Sequence, residues 1–352
     1  MTLCKGRKMN TQIFHIHENN ISEQDTKIAA EIIRNGGLVA FPTETVYGLG
    51  GNATDAGAAQ KIYAAKGRPS DNPLIIHIAE PADAELYANT CDLYYKLARA
   101  FMPGPLTVIL NKKDVVPESV TGGLDTVAVR CPSHPIATAL IREAGVAIAA
   151  PSANLSGSPS PTCAEHVIRD MNGRIDAIID GGDCEIGLES TIVKAENDKL
   201  ILLRPGAITA DALRCVCENV EISASVTEML RADERPLSPG MKYRHYAPSI
   251  PLVLLEGDED RVVAFMRRAQ NAEKCTLLCY HEESYELRYE RLIDIGARDD
   301  LNEQAHRLFA ALRDADELDC DIIYAHLPKK EGIGLALYNR LIRAAAHTVM
   351  HV

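Results

Sequence analysis

The pattern of apolar and polar positions predicts two α/β units in succession. Over the first 220 residues, short apolar runs alternate with stretches in which apolar residues recur every three or four positions. Those spacings are typical of buried strands and of amphipathic helices. The runs predict strands at 38–41, 74–78, 107–110, 126–130, 146–150, 177–179, 191–193 and 200–203. Because several connections are short enough for hairpins, we expect a mixed sheet in a layered α/β domain.

A second α/β pattern follows a polar, proline-bearing interruption. Its predicted strands are 251–255, 276–279 and 321–324, and its predicted helices are 261–271, 303–313 and 335–347. The expected organisation is a disordered extension at 1–10, a first α/β domain at 11–220, a linker at 221–249 and a smaller, Rossmann-like α/β domain at 250–352.

The composition indicates a soluble, cytoplasmic protein that binds small molecules rather than polynucleotides. With 352 residues, 46% of them apolar, the chain can bury a full core. No apolar run approaches the ~20 residues that span a bilayer, and the first residues lack the apolar segment of a secretory signal. The formal net charge is −12, whereas proteins that grip a polynucleotide more often carry a basic face. We therefore expect no membrane association and no stable nucleic-acid binding.

Cations and small residues recur where the predicted strands end. Lys66-Gly67-Arg68 forms a cationic turn, and Arg130 and Arg204 each end an apolar run. Charge-assisted hydrogen bonds from arginine suit phosphate and carboxylate groups. The recurrence therefore indicates a site for a small, phosphate-bearing ligand, although each cation taken singly also fits a solvated or ion-paired role.

The segment Gly-Leu-Gly-Gly-Asn-Ala at 48–53 fits the dinucleotide-binding fingerprint only weakly. That mechanism needs its first glycine in the turn directly after the strand, and here residues 42–47 intervene. We predict that 42–53 is a loop rich in Pro, Thr and Gly, followed by a helix that begins near Thr54 or Asp55.

Four motifs resemble the YrdC-like threonylcarbamoyl-AMP synthases. They are Phe-Pro-Thr-Glu-Thr-Val-Tyr-Gly-Leu at 41–49, Lys-x-Arg at 66–68 with Asn-Pro-Leu at 72–74, Val-Ala-Val-Arg-x-Pro at 127–132 and Ala-Pro-Ser-Ala-Asn at 150–154. The segment Ser-Pro-Gly-Met-Lys-Tyr-Arg-His-Tyr-Ala-Pro at 238–248 resembles the long form of the family, which has a C-terminal domain. The resemblance implies a twisted mixed sheet flanked by helices, with the ligand in a basic cavity.

The resemblance implies an enzyme, a nucleotidyltransferase that joins L-threonine, bicarbonate and ATP into L-threonylcarbamoyladenylate and releases pyrophosphate. Downstream tRNA threonylcarbamoyl-transfer proteins would use this adenylate to modify adenosine 37 of tRNA. Carried over by motif, the threonine-binding residues are Thr45, His77, Arg130, Ala150 and Ser190. The ATP-binding residues are Arg68, Asn72, Thr126, Ser152, Asn154, Ser160 and Arg204. The expected catalytic cations are Lys66 and Arg68.

This chemistry needs no nucleophile from the protein. Threonine's amine and bicarbonate form a carbamate, whose oxygen attacks the α-phosphorus of ATP. Catalysis then consists of positioning and of stabilising phosphoryl charge with cations. No carboxylate cluster in the sequence signals a protein-held metal, so we expect Mg²⁺ to arrive on the ATP phosphates.

The segment 238–248 predicts a lid over the adenylate. Its prolines limit flexibility at both ends, and Lys242 and Arg244 complement the charge of a triphosphate. Tyr243 and Tyr246 are expected to cover the adenylate, as part of the ATP site, and to exclude water. The alternative is a rigid spacer pinned against the first domain.

Two other functions remain open. A carbamoyl-adenylate-forming maturation protein of the hydrogenase type would share the fold of the first domain. Such proteins also carry zinc-finger-like Cys-x-x-Cys modules, and this sequence has none. The other alternative is a non-catalytic regulator that binds a nucleotide or RNA, and the net acidity disfavours RNA.

Overall fold

The computed structural model describes residues 10–228 and 245–352. The predicted extension, apart from Asn10, and residues 229–244 of the predicted linker lie outside the described residues. The strands are β1 (Gln12–His15), β2 (Val39–Phe41), β3 (Gly48–Asn52), β4 (Ile75–His77), β5 (Ala88–Asn89), β6 (Leu106–Lys112), β7 (Thr126–Arg130), β8 (Ile148–Ala150), β9 (Ala177–Asp180), β10 (Thr191–Glu196), β11 (Lys199–Arg204), β12 (Val220–Ile222), β13 (Leu252–Glu256), β14 (Cys275–Cys279), β15 (Leu292–Asp294), β16 (Ile322–His326) and β17 (Val349–His351).

The helices lie between these strands on both sheets. They are α1 (Glu23–Arg34), α2 (Ala56–Lys66), α3 (Ala84–Tyr87), α4 (Asp92–Phe101), α5 (Glu118–Thr121), α6 (Pro135–Ala144), α7 (Ala164–Met171), α8 (Ala210–Arg214), α9 (Glu259–Ala272), α10 (His281–Leu287), α11 (Leu301–Ala315) and α12 (Gly334–Ala344). Within the two described ranges, none of them has the length and apolar character that crossing a membrane requires.

A twelve-stranded mixed sheet organises the first of these ranges. Its strand order is β1-β9-β2-β3-β8-β4-β7-β6-β10-β11-β12, and β5 pairs with β6 beside this path. Parallel and antiparallel pairs alternate within it, since β4 runs parallel to β7 and antiparallel to β8. Helices α1 and α6 pack on one face, and α2, α4 and α7 pack on the other. The predicted α/β fold, with a mixed sheet flanked by helices, is therefore confirmed.

The segment 42–53, predicted as a loop, contains strand β3. This strand pairs antiparallel with β2 on one side and with β8 on the other. A Cβ added at Gly50 would lie 2.7 Å from Ile148 Cγ2 and 2.8 Å from Phe41 Cε1. Glycine disfavours strands in general, but here its missing side chain is what lets the neighbouring side chains close over the strand. The loop prediction was wrong for this reason.

Helix α2 begins and ends at residues that its sequence specifies. Asp55 caps its N-terminus, where the carboxylate accepts a hydrogen bond from Gly57 N–H at 2.7 Å. The helix ends at Lys66, and Gly67 takes a left-handed φ of 63° that glycine adopts at little cost. This turn redirects the chain, and both Lys66 and Arg68 become buried. The predicted start of this helix near Asp55 is confirmed.

A five-stranded parallel sheet organises the second domain. Its order is β15-β14-β16-β13-β17, with α9 and α10 on one face and α11 and α12 on the other. Parallel neighbours need helical crossovers, and the apolar spacing predicted three of these four helices. The pattern missed α10, β15 and β17, which have 7, 3 and 3 residues. Such short segments do not repeat often enough for a period to stand out.

The two domains are docked through an apolar cluster and buried polar contacts. Val46 and Leu188 of the first domain belong to the same core as Phe309 of the second. Arg313 of α11 donates to Asp170 of α7 at 2.8 Å, and both side chains are less than a tenth exposed. Removing one partner of a buried ion pair leaves an uncompensated charge, so contacts of this kind favour one relative orientation of the domains.

Candidate functional site

The candidate site is a cavity at the ends of the central strands of the large sheet. His77 of β4 lies opposite Arg130 of β7, and Arg130 lies opposite Thr107 of β6. On the far side of β6, Thr107 pairs with Ile192 of β10, which pairs with Arg204 of β11. One row of paired residues therefore crosses five strands, or about 19 Å at the usual strand spacing. Strand register alone brings these distant sequence positions to a single cavity.

Cations dominate the charged lining of the cavity. The lining residues are Thr43, Val46, Tyr47, Gly48, Arg68, Ile75, His77, Arg130, Ala150, Pro151, Ser152, Glu189, Arg204, His245 and Tyr246. Three arginines face one carboxylate in this set. An anion is the ligand that this distribution of charge favours.

Arg130 forms a buried ion pair with Glu44. Its Nη2 donates to Glu44 Oε1 at 2.8 Å, and the two side chains are 5% and 4% exposed. In the part of the chain that the structure describes, Arg130 Nε and Glu44 Oε2 are buried without a hydrogen-bond partner. A buried polar atom left unpaired is costly. The unpaired Nε is therefore a ready donor for a ligand oxygen.

His77 is held as a neutral imidazole. Burial, and after it the charge of Arg130, lowers its pKa from 6.5 to about 3. Its Nδ1 lies 3.2 Å from Ile75 O and 3.3 Å from Ile148 O. Both neighbours are acceptors, so Nδ1 carries the proton and Nε2 is left as an acceptor. The side chain can thus accept a hydrogen bond from a ligand hydroxyl or amine.

Lys66 and Arg68 are close in sequence but differ in what they contact. Lys66 Nζ donates to Ser152 O, at 2.6 Å, and to the backbone and side-chain oxygens of Asn154. It does not belong to the cavity lining, and burial lowers its pKa well below the usual range. Arg68 lines the cavity while its Nη2 donates to Asn72 O and Pro73 O, at 3.2 and 3.0 Å.

Arg68 keeps its charge despite its burial. Desolvation lowers the pKa of its guanidinium to about 10, which still leaves it protonated at neutral pH. Its Nε is another buried atom without a hydrogen-bond partner among the described residues. Arg68 therefore presents both a positive charge and an unused donor, as a phosphate site requires.

Arg204 is oriented by its neighbour across the strand pair. Its Nε and Nη2 donate to Ser190 O and Ser190 Oγ at 3.0 and 3.1 Å. Ser190 Oγ also lies 2.7 Å from Thr107 Oγ1. The adjacent Glu189 accepts a hydrogen bond from Ser160 Oγ. Ser190 and Ser160 therefore stand behind the cavity wall and fix the groups that form it.

His245 and Tyr246 close the cavity. Both are buried, and the Tyr246 ring lies 5.3 Å from the Phe309 ring of the second domain. The enclosed free volume is about 50 Å³, whereas cavities for nucleotide-sized ligands hold about 300–1,000 Å³. Tyr246 has a φ of 64°, a left-handed conformation that costs a non-glycine residue about 1–2 kcal/mol. In this conformation ATP does not fit.

The structure brings half of the predicted site residues to the cavity itself. Those in its lining are Arg68, His77, Arg130, Ala150, Ser152, Arg204 and Tyr246. A second group is buried directly behind the lining: Thr45, Lys66, Asn72, Asn154, Ser160 and Ser190. Thr126 lies at the opposite end of β7 from Arg130 and does not line the cavity. Tyr243 lies outside the described residues.

The sequence analysis did not assign Glu44, Glu189, His245 or Arg340 to the site. Glu44 lies between two threonines, and Glu189 precedes a serine and a threonine. An acid set among small hydroxyl residues was the available signal, but it does not identify the partner arginine. The partners are 86 residues apart for Glu44 with Arg130 and 151 apart for Glu189 with Arg340.

Comparison with family models divides the chain as its two sheets do. The Sua5, YciO and YrdC family model, described as telomere recombination, matches residues 31–206. The model described as the threonylcarbamoyl-AMP synthase C-terminal domain matches residues 208–346.

Similar proteins extend over nearly the whole chain. The threonylcarbamoyl-AMP synthase of Bacillus subtilis (strain 168) is 45% identical over 337 residues, which is 94% of this chain and 96% of the relative. The threonylcarbamoyl-AMP synthase of Pyrococcus abyssi is 43% identical, over 97% of this chain and 100% of the relative. The crystal structure of P. abyssi Sua5 complexed with L-threonine covers the same shares, with a TM-score of 0.89.

We predict that His77 makes folding stability depend on pH. Between the unfolded pKa of 6.5 and the folded pKa of about 3, the unfolded chain binds the extra proton. The unfolding free energy therefore falls as the pH falls through this window, by up to about 1.4 kcal/mol per pH unit. Urea unfolding at about pH 7.5 and about pH 5 should show a smaller loss for His77→Gln than for the wild type.

The matched control is His15→Gln, because the His15 side chain is 72% exposed. This variant should keep the pH dependence of the wild type. Equal losses in the wild type and in His77→Gln would contradict the assignment of His77 as a buried neutral histidine.

Proposed function

The chain belongs to the threonylcarbamoyl-AMP synthase family, in the long form with a Sua5 C-terminal domain, and we propose that it makes L-threonylcarbamoyladenylate from L-threonine, bicarbonate and ATP. The family resemblance stated from the sequence motifs is confirmed. The observation that carries the proposal is the convergence of three arginines on one cavity. It occurs in a chain that matches, over 97% of its length, a relative crystallised with L-threonine.

We assign threonine to the part of the cavity around Arg130 and His77. The unpaired Nε of Arg130 would donate to the threonine carboxylate, which removes the cost of a buried orphan donor. Nε2 of neutral His77 would accept from the threonine hydroxyl or amine. Ala150 leaves room at the lining, while Thr45 and Ser190 act from behind it.

ATP belongs to the part of the cavity around Arg68, Arg204 and Ser152. Both guanidiniums carry charge at neutral pH, and both are anchored through hydrogen bonds to protein oxygens. Lys66 contributes through the backbone that it holds, since its ammonium group binds the oxygens of the Ser152–Asn154 turn. We retain Asn72, Asn154, Ser160 and Thr126 as ATP-binding residues in this proposal.

Mg²⁺ would enter the site on the ATP phosphates. The carboxylate that lines the cavity, Glu189, already accepts from Ser160 and Arg340, whereas phosphate oxygens are the ligands that Mg²⁺ most often takes in nucleotide sites. When bound, the ion would neutralise charge on the departing pyrophosphate.

The reaction is a nucleotidyl transfer in two balanced steps. The threonine amine nitrogen attacks the carbon of bicarbonate, and the loss of water leaves an N-carboxylate. An oxygen of that carboxylate then attacks the α-phosphorus, and pyrophosphate leaves as the bond to the β-phosphate oxygen breaks. Arg68 and Arg204 would stabilise the spreading negative charge, and burial would strengthen this effect.

We propose that the adenylate is passed to proteins that transfer the threonylcarbamoyl group to adenosine 37 of tRNA. The net charge of −12 favours release of a small product over lasting contact with tRNA. A non-catalytic regulator and a hydrogenase-type maturation protein are the competing functions. The match to a threonine-bound relative and the C-terminal family model at 208–346 favour the synthase over both.

Pyrophosphate release tests the function, and its amino-acid dependence tests the pocket. With ATP and bicarbonate present, threonine should support release and valine should not. Valine has threonine's shape but leaves the polar partner of the hydroxyl unpaired, at a cost of about 1–3 kcal/mol. Serine, which loses only a methyl contact, should be disfavoured less. No release with threonine would refute the function, and equal release with valine would refute the pocket.

Arg68→Lys should lower the rate of pyrophosphate release by about 100-fold, because one charged donor to the phosphates is misplaced. Retention of a positive charge near Asn72 O and Pro73 O should keep the melting temperature within a few degrees of the wild type. The control is Arg288→Lys on the second domain, which should change neither quantity. A large loss of melting temperature in Arg68→Lys would instead indicate a structural cation.

Tyr246→Ala should make the enzyme lose its product to water. Tyr246 is 4% exposed and closes the cavity, and a mixed anhydride hydrolyses when water reaches it. The ratio of pyrophosphate released to adenylate recovered should therefore rise above the wild-type value. The control is Tyr285→Ala, at a tyrosine that is 68% exposed. An unchanged ratio in Tyr246→Ala would leave this residue only a role in domain packing.

A further inference from the structure

Helix α12 of the second domain brings a fully buried arginine to the back wall of the cavity. Arg340 is 0% exposed, and its Nε donates to Glu189 Oε2 at 2.7 Å. The guanidinium also lies 5.5 Å from the centre of the Tyr246 ring. Glu189 and Tyr246 both line the cavity. The second domain therefore touches the site through a single side chain that does not itself line it.

Arg340 holds the two chain segments that carry Ser190 and Arg204. Its Nη2 donates to Glu189 O at 3.3 Å, directly before Ser190. Its Nη1 donates to Pro205 O at 3.1 Å, directly after Arg204. The neighbouring Asn339 accepts from the same Nη1 at 2.8 Å. One planar guanidinium thus fixes the start of β10 and the end of β11 relative to each other.

Arg340 also supplies the charge that Glu189 needs. Burial opposes ionisation of Glu189, but the charges of Arg340 and Arg204 and the hydrogen bond from Ser160 hold its pKa below the usual range. Without Arg340, the nearest remaining positive charge for this buried carboxylate would be Arg204. An ion pair between Glu189 and Arg204 would neutralise a cation of the ATP site.

We propose that Arg340 is a positioning residue for ATP, which keeps Glu189 satisfied so that Arg204 remains available to phosphate. The inference rests on the proposed function, because it takes ATP as the ligand of Arg204. It gives the second domain a defined part in the reaction: the cavity of the first domain has the correct charge only when α12 is docked against it.

The test compares variants by the binding of a nonhydrolysable ATP analogue and by steady-state kinetics. Arg340→Met should weaken analogue binding and raise the KM for ATP by about 10-fold to 100-fold, as loss of a supporting partner commonly does. The KM for threonine should change much less. Arg340→Lys, which keeps the charge but not the planar fork, should give an intermediate KM for ATP.

A rescue experiment separates charge compensation from simple loss of packing. In the Arg340→Met background, Glu189→Gln removes the uncompensated carboxylate and keeps an oxygen for Ser160. The double variant should recover part of the lost affinity for the analogue. The matched control is Arg313→Met, which also breaks a buried cross-domain ion pair but contacts Asp170 and Pro159, outside the cavity lining. It should lower the melting temperature without raising the KM for ATP.

The outcomes are distinguishable. Equal increases in the KM for ATP in Arg340→Met and Arg313→Met, or no rescue by Glu189→Gln, would overturn the proposal and leave Arg340 a docking residue. If Arg340→Met does not fold, a wild-type KM for ATP in Arg340→Lys overturns it instead. Binding of the analogue by a wild type that releases no pyrophosphate would refute the proposed function while leaving the role of Arg340 testable by binding.

Discussion

The cost of burying positive charge governs this molecule. An isolated cation inside a protein is strongly disfavoured, yet four of them are less than a tenth exposed in or beside the cavity: Lys66, Arg68, Arg130 and Arg204. The fold compensates them in three ways, with backbone oxygens, with the carboxylate of Glu44 and with the hydroxyl and carbonyl of Ser190. Because these groups come from different strands and turns, the cavity exists only when most of the large sheet has formed.

Local sequence was sufficient to find the cations, since each of them follows an apolar run. The predicted helices and strands of the first domain were largely correct for the same reason, because period and capping are local properties. Gly50 is the exception that shows the limit. Its strand is stabilised by the close approach of Ile148 and Phe41, and no property of the segment itself reports which side chains will lie over it.

The compensating groups could not be found from the sequence, because they depend on register. Glu44 meets Arg130 only when β7 has paired with β4 and β6, and Glu189 meets Arg340 only across the domain interface. Lys66 illustrates the converse. Its motif marks it as important, but the geometry gives its ammonium group to the backbone of the 152–154 turn. Motifs identify which residues matter, whereas contacts determine what each of them does.

The small free volume behind Tyr246 has a thermodynamic consequence for how affinities should be interpreted. If only a fraction of the molecules is open at any moment, the apparent dissociation constant for a nucleotide equals the intrinsic constant divided by that fraction. Tyr246 also holds a strained backbone conformation, and opening releases that strain while it breaks the contact with Phe309. The balance of these two terms sets the open population. Two relatives with identical phosphate contacts would therefore differ in measured ATP affinity solely through the packing of this one ring.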